Sequence, residues 1–425
     1  MPVIRPFRGV RYNPEIVGDI SAVVAPPYDI VYDEWREKLY ERNPYNIIRL
    51  IKTKEESTDT ENENKYTRAA RYIESWFRDE VLTYEDDPAI YVHADTYEIN
   101  GETKVRYGFI ALLKVEDYGN TIHPHERTLS GPMEDRLKLV RATQTNLSQI
   151  FSIFRDSENH VQDVMMKTTE APPDIYFTDE QGVIRRLWVV KDPGFISTLQ
   201  DLMKNRDIII ADGHHRYETA IQYKKLKENE RQSEEEPFDY VSMYFSNADD
   251  SGMSIFPTHR KISGVSVYNQ ETFFSELKKS FNVVYLGECD FQEVIKLIAV
   301  DSEHNNAYGI YTCDGFGTAQ LRNPSNPKEL DVDILHNIII EKLLGISRED
   351  ISSGRHVHFC KSLEHAIEDV SNHKDQISFI MNSIRPEELF RKVLQGVRMP
   401  QKSTYFYPKT LSGLVMYKID KQSLG

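Results

Sequence analysis

The chain has 425 residues, 40% hydrophobic and 28% charged, with a formal net charge of -15 at pH 7. That length argues for two or three domains of ordinary globular composition, and the acidic balance disfavours nucleic acid, whose binding rests on neutralising phosphates. Cys289, Cys313 and Cys360 are isolated, so neither a disulfide framework nor a zinc site is indicated, and the absence of a signal peptide or membrane-length apolar run makes the chain read as cytoplasmic, with no membrane partner.

Arg5-Pro6-Phe7-Arg8-Gly9 comes first, followed by Val23-Val24-Ala25-Pro26-Pro27-Tyr28-Asp29. Consecutive prolines fix an extended loop there, either a structural corner or one wall of a site. The pattern predicts a helix over Asp33 to Arg42, a strand over Asn46 to Lys52 and a longer helix over Asn62 to Val81. Strands over Ala89 to Ile99 and Thr103 to Val115 are joined by Asn100-Gly101, the preferred pair for a tight hairpin. His123-Pro124-His125-Glu126-Arg127-Thr128 then precedes a helix over Pro132 to Ala142. Further strands are expected at Leu147 to Phe154, Ile175 to Phe177 and Ile184 to Val190, and a helix at Phe195 to Lys204.

Ile208-Ile209-Ile210 is a β-branched run that reads as a buried strand, and Arg216 to Lys227 has helical spacing. Asp212-Gly213-His214-His215 lies between them, with Gly213 permitting a sharp turn. A strand turning into a helix leaves free N–H groups that favour an anion such as phosphate. The plainer reading is an Asp cap followed by two solvated histidines. Asp239 to Phe245 is a further strand. Beyond it, helices at Gln270 to Ser280, Phe291 to Ile298, Asp331 to Leu344 and Pro386 to Gln395 alternate with strands at Val283 to Leu286, Tyr308 to Thr312, His356 to Phe359 and Ile377 to Met381. That alternation predicts a second α/β region. The fold class expected is mixed α/β throughout. Its divisions are an amino-terminal segment at 1–84, a mixed-sheet core at 85–245 and a carboxy-terminal α/β domain at 246–425.

Glu126 is the most useful group of its cluster, since a carboxylate can take a proton from a hydroxyl or hold a metal. With Asp212, His214, His215 and Arg216 it forms a candidate acid/base and phosphate site. Metal-dependent hydrolysis competes, because histidines and carboxylates also bind zinc or manganese. The i, i+4 histidine pair of a zincin helix is absent.

Ile210-Ala211-Asp212-Gly213-His214-His215-Arg216 resembles the Asp-Gly-x-His-Arg signature of the ParB/sulfiredoxin superfamily, particularly its free-serine kinase branch. Almost the whole chain also resembles the family called domain of unknown function 1015. The matching pieces are Arg5-Pro6-Phe7, Ala25 to Asp29, Asn43-Pro44-Tyr45-Asn46, His125 to Thr128, Asp212 to Arg216 and Lys402 to Lys409. The resemblance implies a ParB/sulfiredoxin-like mixed sheet core in which Gly213, His214, His215 and Arg216 bind the phosphates of ADP or ATP. It implies Glu126 as base toward a substrate hydroxyl, Asp212 holding Mg2+ or ordering the turn, and Asp212 and His214 taking part in catalysis. The partners expected are a nucleotide and a small hydroxylated metabolite, with free serine the first candidate. A nucleotide-binding switch without phosphoryl transfer is the second reading and a metal-dependent hydrolase the third. Sulfiredoxin carries a cysteine where this turn has His214, so sulfinic-acid repair is not expected.

Overall fold

A computed structural model describes residues 1–99, 101–126, 130–266, 268–301, 306–323, 330–400 and 403–425. By its contacts the chain forms two compact units, 1–254 with 408–425, and 255–407.

The first unit is built on a nine-stranded mixed sheet. In chain order its strands are β1 (Ile4–Arg5), β2 (Ile90–Ile99), β3 (Glu102–Lys114), β4 (Ile122–Pro124), β5 (Ile150–Phe154), β6 (Ile175–Thr178), β7 (Ile184–Val190), β8 (Ile208–Asp212) and β9 (Tyr240–Asn247). Their spatial order is β4-β8-β5-β9-β3-β2-β7-β6, with β1 pairing to the far end of β3. β2 and β3 form the expected hairpin, pairing from Tyr91 with Ile110 to Ile99 with Glu102. Gly101 has φ 79°, while Asn100 lies outside the described residues. Arg127, Thr128 and Lys402 of the matched motifs lie outside them too.

Helices follow local signals. Lys65–Arg78 (α1) starts where the Asn64 side chain accepts the N–H groups of Tyr66 and Thr67, and it buries Ala69, Ile73 and Trp76, one helical stripe. That stripe joins a core with Val10, Leu39, Ile47, Leu139 and Met416. Asp33–Arg42 is helical as expected. Residues 46–52 are not the strand that their apolar run suggested. Ile48–Ile51 is a helical turn, because the Asn46 Oδ1 accepts Ile48 N–H at 2.9 Å while its Nδ2 donates to the carbonyls of Ala22 and Val24. A buried asparagine thus satisfies three backbone groups that a ladder would have served. The helix His160–Thr168 carried no expectation; Val161 and Met165 are its buried pair.

The second unit holds a six-stranded sheet whose described pairings are all antiparallel. Alternating strands and helices therefore produce a mixed α/β layer here without parallel crossovers. Sequence reading missed Gly315–Leu321, which pairs on both sides, and His259–Ile262. Residues Leu335–Leu343 continue the helix begun at Asp331–Ile334 with a widened, π-type turn.

Candidate functional site

Ile208, Ile209 and Ile210 are wholly buried, which fixes β8 inside the sheet. β8 runs parallel to β4, with Ile209 opposite His123 and Ile210 opposite Pro124. Two parallel strands ending side by side deliver His125 and Glu126 beside Asp212. On its other edge β8 pairs antiparallel to β5, and the register shifts between Ile210 and Asp212. A bulge of this kind re-aims side chains at a strand end.

Gly213 follows with φ 91°, and it is the N-cap of α2 (His214–Lys227). A Cβ there would lie 2.8 Å from Arg216 Nε, so the position requires glycine both for its backbone and for the guanidinium packed over it. Gly213 has no side chain with which to cap this helix. Its first turn, with the dipole behind it, presents positive potential to the space above Gly213.

Asp212 is held from both sides. Arg216 Nη2 donates to Oδ2 at 2.7 Å, and Lys409 Nζ donates to Oδ1 at 2.5 Å. Arg216 Nη1 also donates to the Gln149 carbonyl, and among the described residues its buried Nε has no hydrogen-bond partner. Burial acts to raise the Asp212 carboxyl, but Lys409 and Arg216 more than offset it and hold it well below the usual range. Asp212, Glu126 and the neighbouring Asp29 balance these two cations, so Arg216 and Lys409 act as local charged donors rather than as a net positive field. Among the described residues, no three His, Cys, Asp or Glu gather as metal ligands. With both oxygens of Asp212 facing cations, these residues suit phosphate rather than a Mg2+ site built by the protein alone.

His214 enters the interior, 7% exposed. Its Nε2 accepts the backbone N–H of His125 at 3.3 Å, and burial, with His125 nearby, pushes its pKa down to about 3. The His214 ring is therefore neutral and serves as an acceptor. The two imidazoles lie 4.7 Å apart. His125 Nδ1 bonds the Ile210 carbonyl at 2.5 Å, and its Nε2 lies 3.4 Å from Glu126 Oε1. The Glu126 side chain is 19% exposed. Burial pushes its carboxyl up, yet His125, His214 and Lys409 outweigh this and hold it below the ordinary range. His215 is half-buried; burial lowers its pKa, against Glu218, Asp29 and Glu126, which act to raise it.

The structure thus gathers Glu126, Asp212, Gly213, His214, His215 and Arg216 at one end of the sheet. It adds Lys409, His125 and the loop through Tyr28 and Asp29. The Tyr28 ring lies 4.0 Å from the Arg136 guanidinium, and Ala25 pairs with Ser412. A shallow depression opens beside Arg216. Tyr28, Arg136, Ser148 and Thr219 supply its polar lining, with Leu139 and Leu147 on its apolar side. Lys409 was signalled by its place in the hydroxyl- and lysine-rich Lys402 to Lys409 stretch, one of the family-matching pieces. His125 was signalled by its neighbour Glu126.

Residues 4–336 match the family described as protein of unknown function (DUF1015). None of the curated proteins matches the chain. Among solved structures it is similar to a conserved hypothetical protein from Pyrococcus furiosus, at 14% identity and TM-score 0.34, over 68% of this chain and 89% of that one. It is also similar to a free serine kinase in complex with AMP, at 12% identity and TM-score 0.35, over 67% and 83% of the two chains. For SbnI with a C-terminal truncation, from Staphylococcus aureus, the values are 13% and 0.32, over 69% and 83%.

Proposed function

This chain belongs to the DUF1015 family, and we propose that its first unit is a nucleotide-dependent phosphotransferase acting on a hydroxyl of a small metabolite. The nucleotide's phosphates, of ADP or ATP, lie over the Asp212-Gly213-His214-His215-Arg216 turn, and free serine is the first acceptor to test. The observation that carries the reading is the arrangement at Asp212. One carboxylate is shared by Arg216 and Lys409 at the glycine-led start of a helix, with a glutamate close enough to feel Lys409. Phosphoryl transfer asks for positioning and charge neutralisation, and this turn offers both.

In this reading Arg216 keeps its bond to the Gln149 carbonyl and turns its remaining donors to phosphate. Lys409 moves between Asp212 and the phosphate oxygens. Glu126 takes the proton of the attacking hydroxyl. His214, neutral and buried, fixes the backbone before Glu126 through the N–H of His125. Mg2+ would arrive with the nucleotide, and no step here is assigned to it. The sequence resemblance of the turn to the free-serine kinase branch supports the same reading. Calorimetric titration with ADP and ATP, with and without Mg2+, followed by transfer assays on hydroxy amino acids, tests it. Nucleotide binding and a phosphorylated hydroxyl product support it; failure of both nucleotides to bind overturns it.

A further inference from the structure

We infer that His125 and Glu126 act as one proton-holding pair, with His125 the positioning residue that orients the glutamate and shares the proton it receives. The inference rests on the phosphotransferase reading for its consequence, but on geometry for its existence. The Ile210 carbonyl can only accept, and it lies 2.5 Å from His125 Nδ1. Nδ1 therefore carries a proton, and that proton is committed to the backbone of β8. The remaining nitrogen, Nε2, faces Glu126 Oε1 at 3.4 Å. A ring nitrogen and a carboxylate oxygen at this separation have room for one shared proton between them.

The ring is not free to turn away. It is 1% exposed, its backbone N–H is bonded to His214 Nε2, and it stacks at a tilt against the His214 ring. Among the described residues, His214 and His215 from α2 and Lys409 from the returning terminal segment also act on the pair. His214 accepts from backbone and cannot supply the shared proton. Lys409 is bonded to Asp212. The separation of Nε2 and Oε1 lets one proton be held between the two residues.

The chemical consequence is balanced as follows. The acceptor O–H bond breaks as the new O–P bond forms and the terminal P–O bond of the nucleotide breaks. The hydroxyl proton passes to Glu126 and fills the position shared with Nε2, and from there it leaves to solvent. The active form is the pair without its shared proton. A lone buried glutamate would lack that second site and would depend on solvent alone.

The test uses the full chain with 15N-labelled histidine. The expected spectrum shows His125 protonated at Nδ1, and an Nε2 signal whose titration midpoint moves when Glu126→Gln is introduced. An Nε2–H tautomer in the unsubstituted chain overturns the inference, as does a midpoint untouched by Glu126→Gln. The tautomer is read without any variant, so a poorly folding Glu126→Gln leaves the inference decidable. In turnover, His125→Asn keeps an amide donor near Ile210 but removes Nε2. The expected result is unchanged nucleotide affinity, a kcat lower by on the order of 10²-fold, and an acid limb of the pH profile shifted down. An unshifted limb with undiminished kcat overturns the inference. Absence of phosphoryl transfer in the unsubstituted chain would remove the phosphotransferase reading while leaving the ring spectrum to decide the pair.

Discussion

Asp212 shows how a single side chain can carry both structure and chemistry. Its two oxygens face Arg216, four residues on in the first turn of α2, and Lys409, nearly two hundred residues downstream. Removing the guanidinium deletes a charged donor to phosphate and leaves the Gln149 carbonyl and Asp212 Oδ2 without it. Arg216→Ala is expected to weaken nucleotide affinity by about 1.5–3 kcal/mol, the range for hydrogen bonds to charged groups. Comparison of binding isotherms for the two proteins checks this, and equal affinities would contradict it. The turn itself was legible because strand, glycine and helix are contiguous and each has its own signal. Lys409 was not, since its role depends on a long-range return that no local pattern encodes. The ion pair with Asp212 is a tertiary fact.

At the scale of elements, the sheet explains why Glu126 and Asp212 meet. β4 is only three residues long, but its parallel register with β8 places both strand ends together. Gly213 then closes the turn. Gly213→Ala combines a left-handed backbone with a Cβ against the Arg216 guanidinium, and is expected to cost about 1–2 kcal/mol of stability as well as nucleotide affinity. Chemical denaturation together with calorimetry measures both, and an unchanged affinity would show that Arg216 does not need that geometry. The segment at 46–52 shows where pattern fails. Ile47, Ile48, Leu50 and Ile51 form a short apolar run that periodicity alone cannot assign to helix or strand. Asn46 decides it, being fully buried and bonded to three backbone groups. Asn46→Ala is expected to lower stability by about 1–3 kcal/mol, read as a shifted urea midpoint. A midpoint within error of the unsubstituted chain would remove that role.

Across the whole molecule, both units bury neutral histidines. In the first unit burial pushes His93 down to about 4. In the second, burial pushes His259 down to about 4 and His336 down to about 3. Each folded value lies below the unfolded value of about 6.5, so the unfolded chain binds more protons in the interval between. The stability these groups contribute is therefore complete above about pH 6.5. It declines as pH falls toward 4 for His93 and His259, and toward 3 for His336. Urea midpoints should fall steadily from pH 7 to 4.5, and His336→Leu should flatten the slope. A constant midpoint would show these rings to be protonated in the fold. The mixed α/β class of both units was legible from alternating elements. The antiparallel order of the second sheet was not, because strand direction is set by pairing partners rather than by any strand's own residues. The return of residues 408–425 to the first unit is likewise a matter of pairing, as Tyr417 with Asn146 shows.

The central claim is that the Asp212 turn binds nucleotide phosphates while Glu126 performs proton transfer. The most direct measurement pairs nucleotide isotherms with turnover rates, for the unsubstituted chain and for Glu126→Gln, once an acceptor is identified. Glutamine keeps the size and part of the hydrogen bonding but not the basicity. The account predicts retained nucleotide affinity with turnover reduced about 10²–10⁴-fold. Undiminished turnover in Glu126→Gln, or a loss of nucleotide binding equal to that in Arg216→Ala, would contradict it.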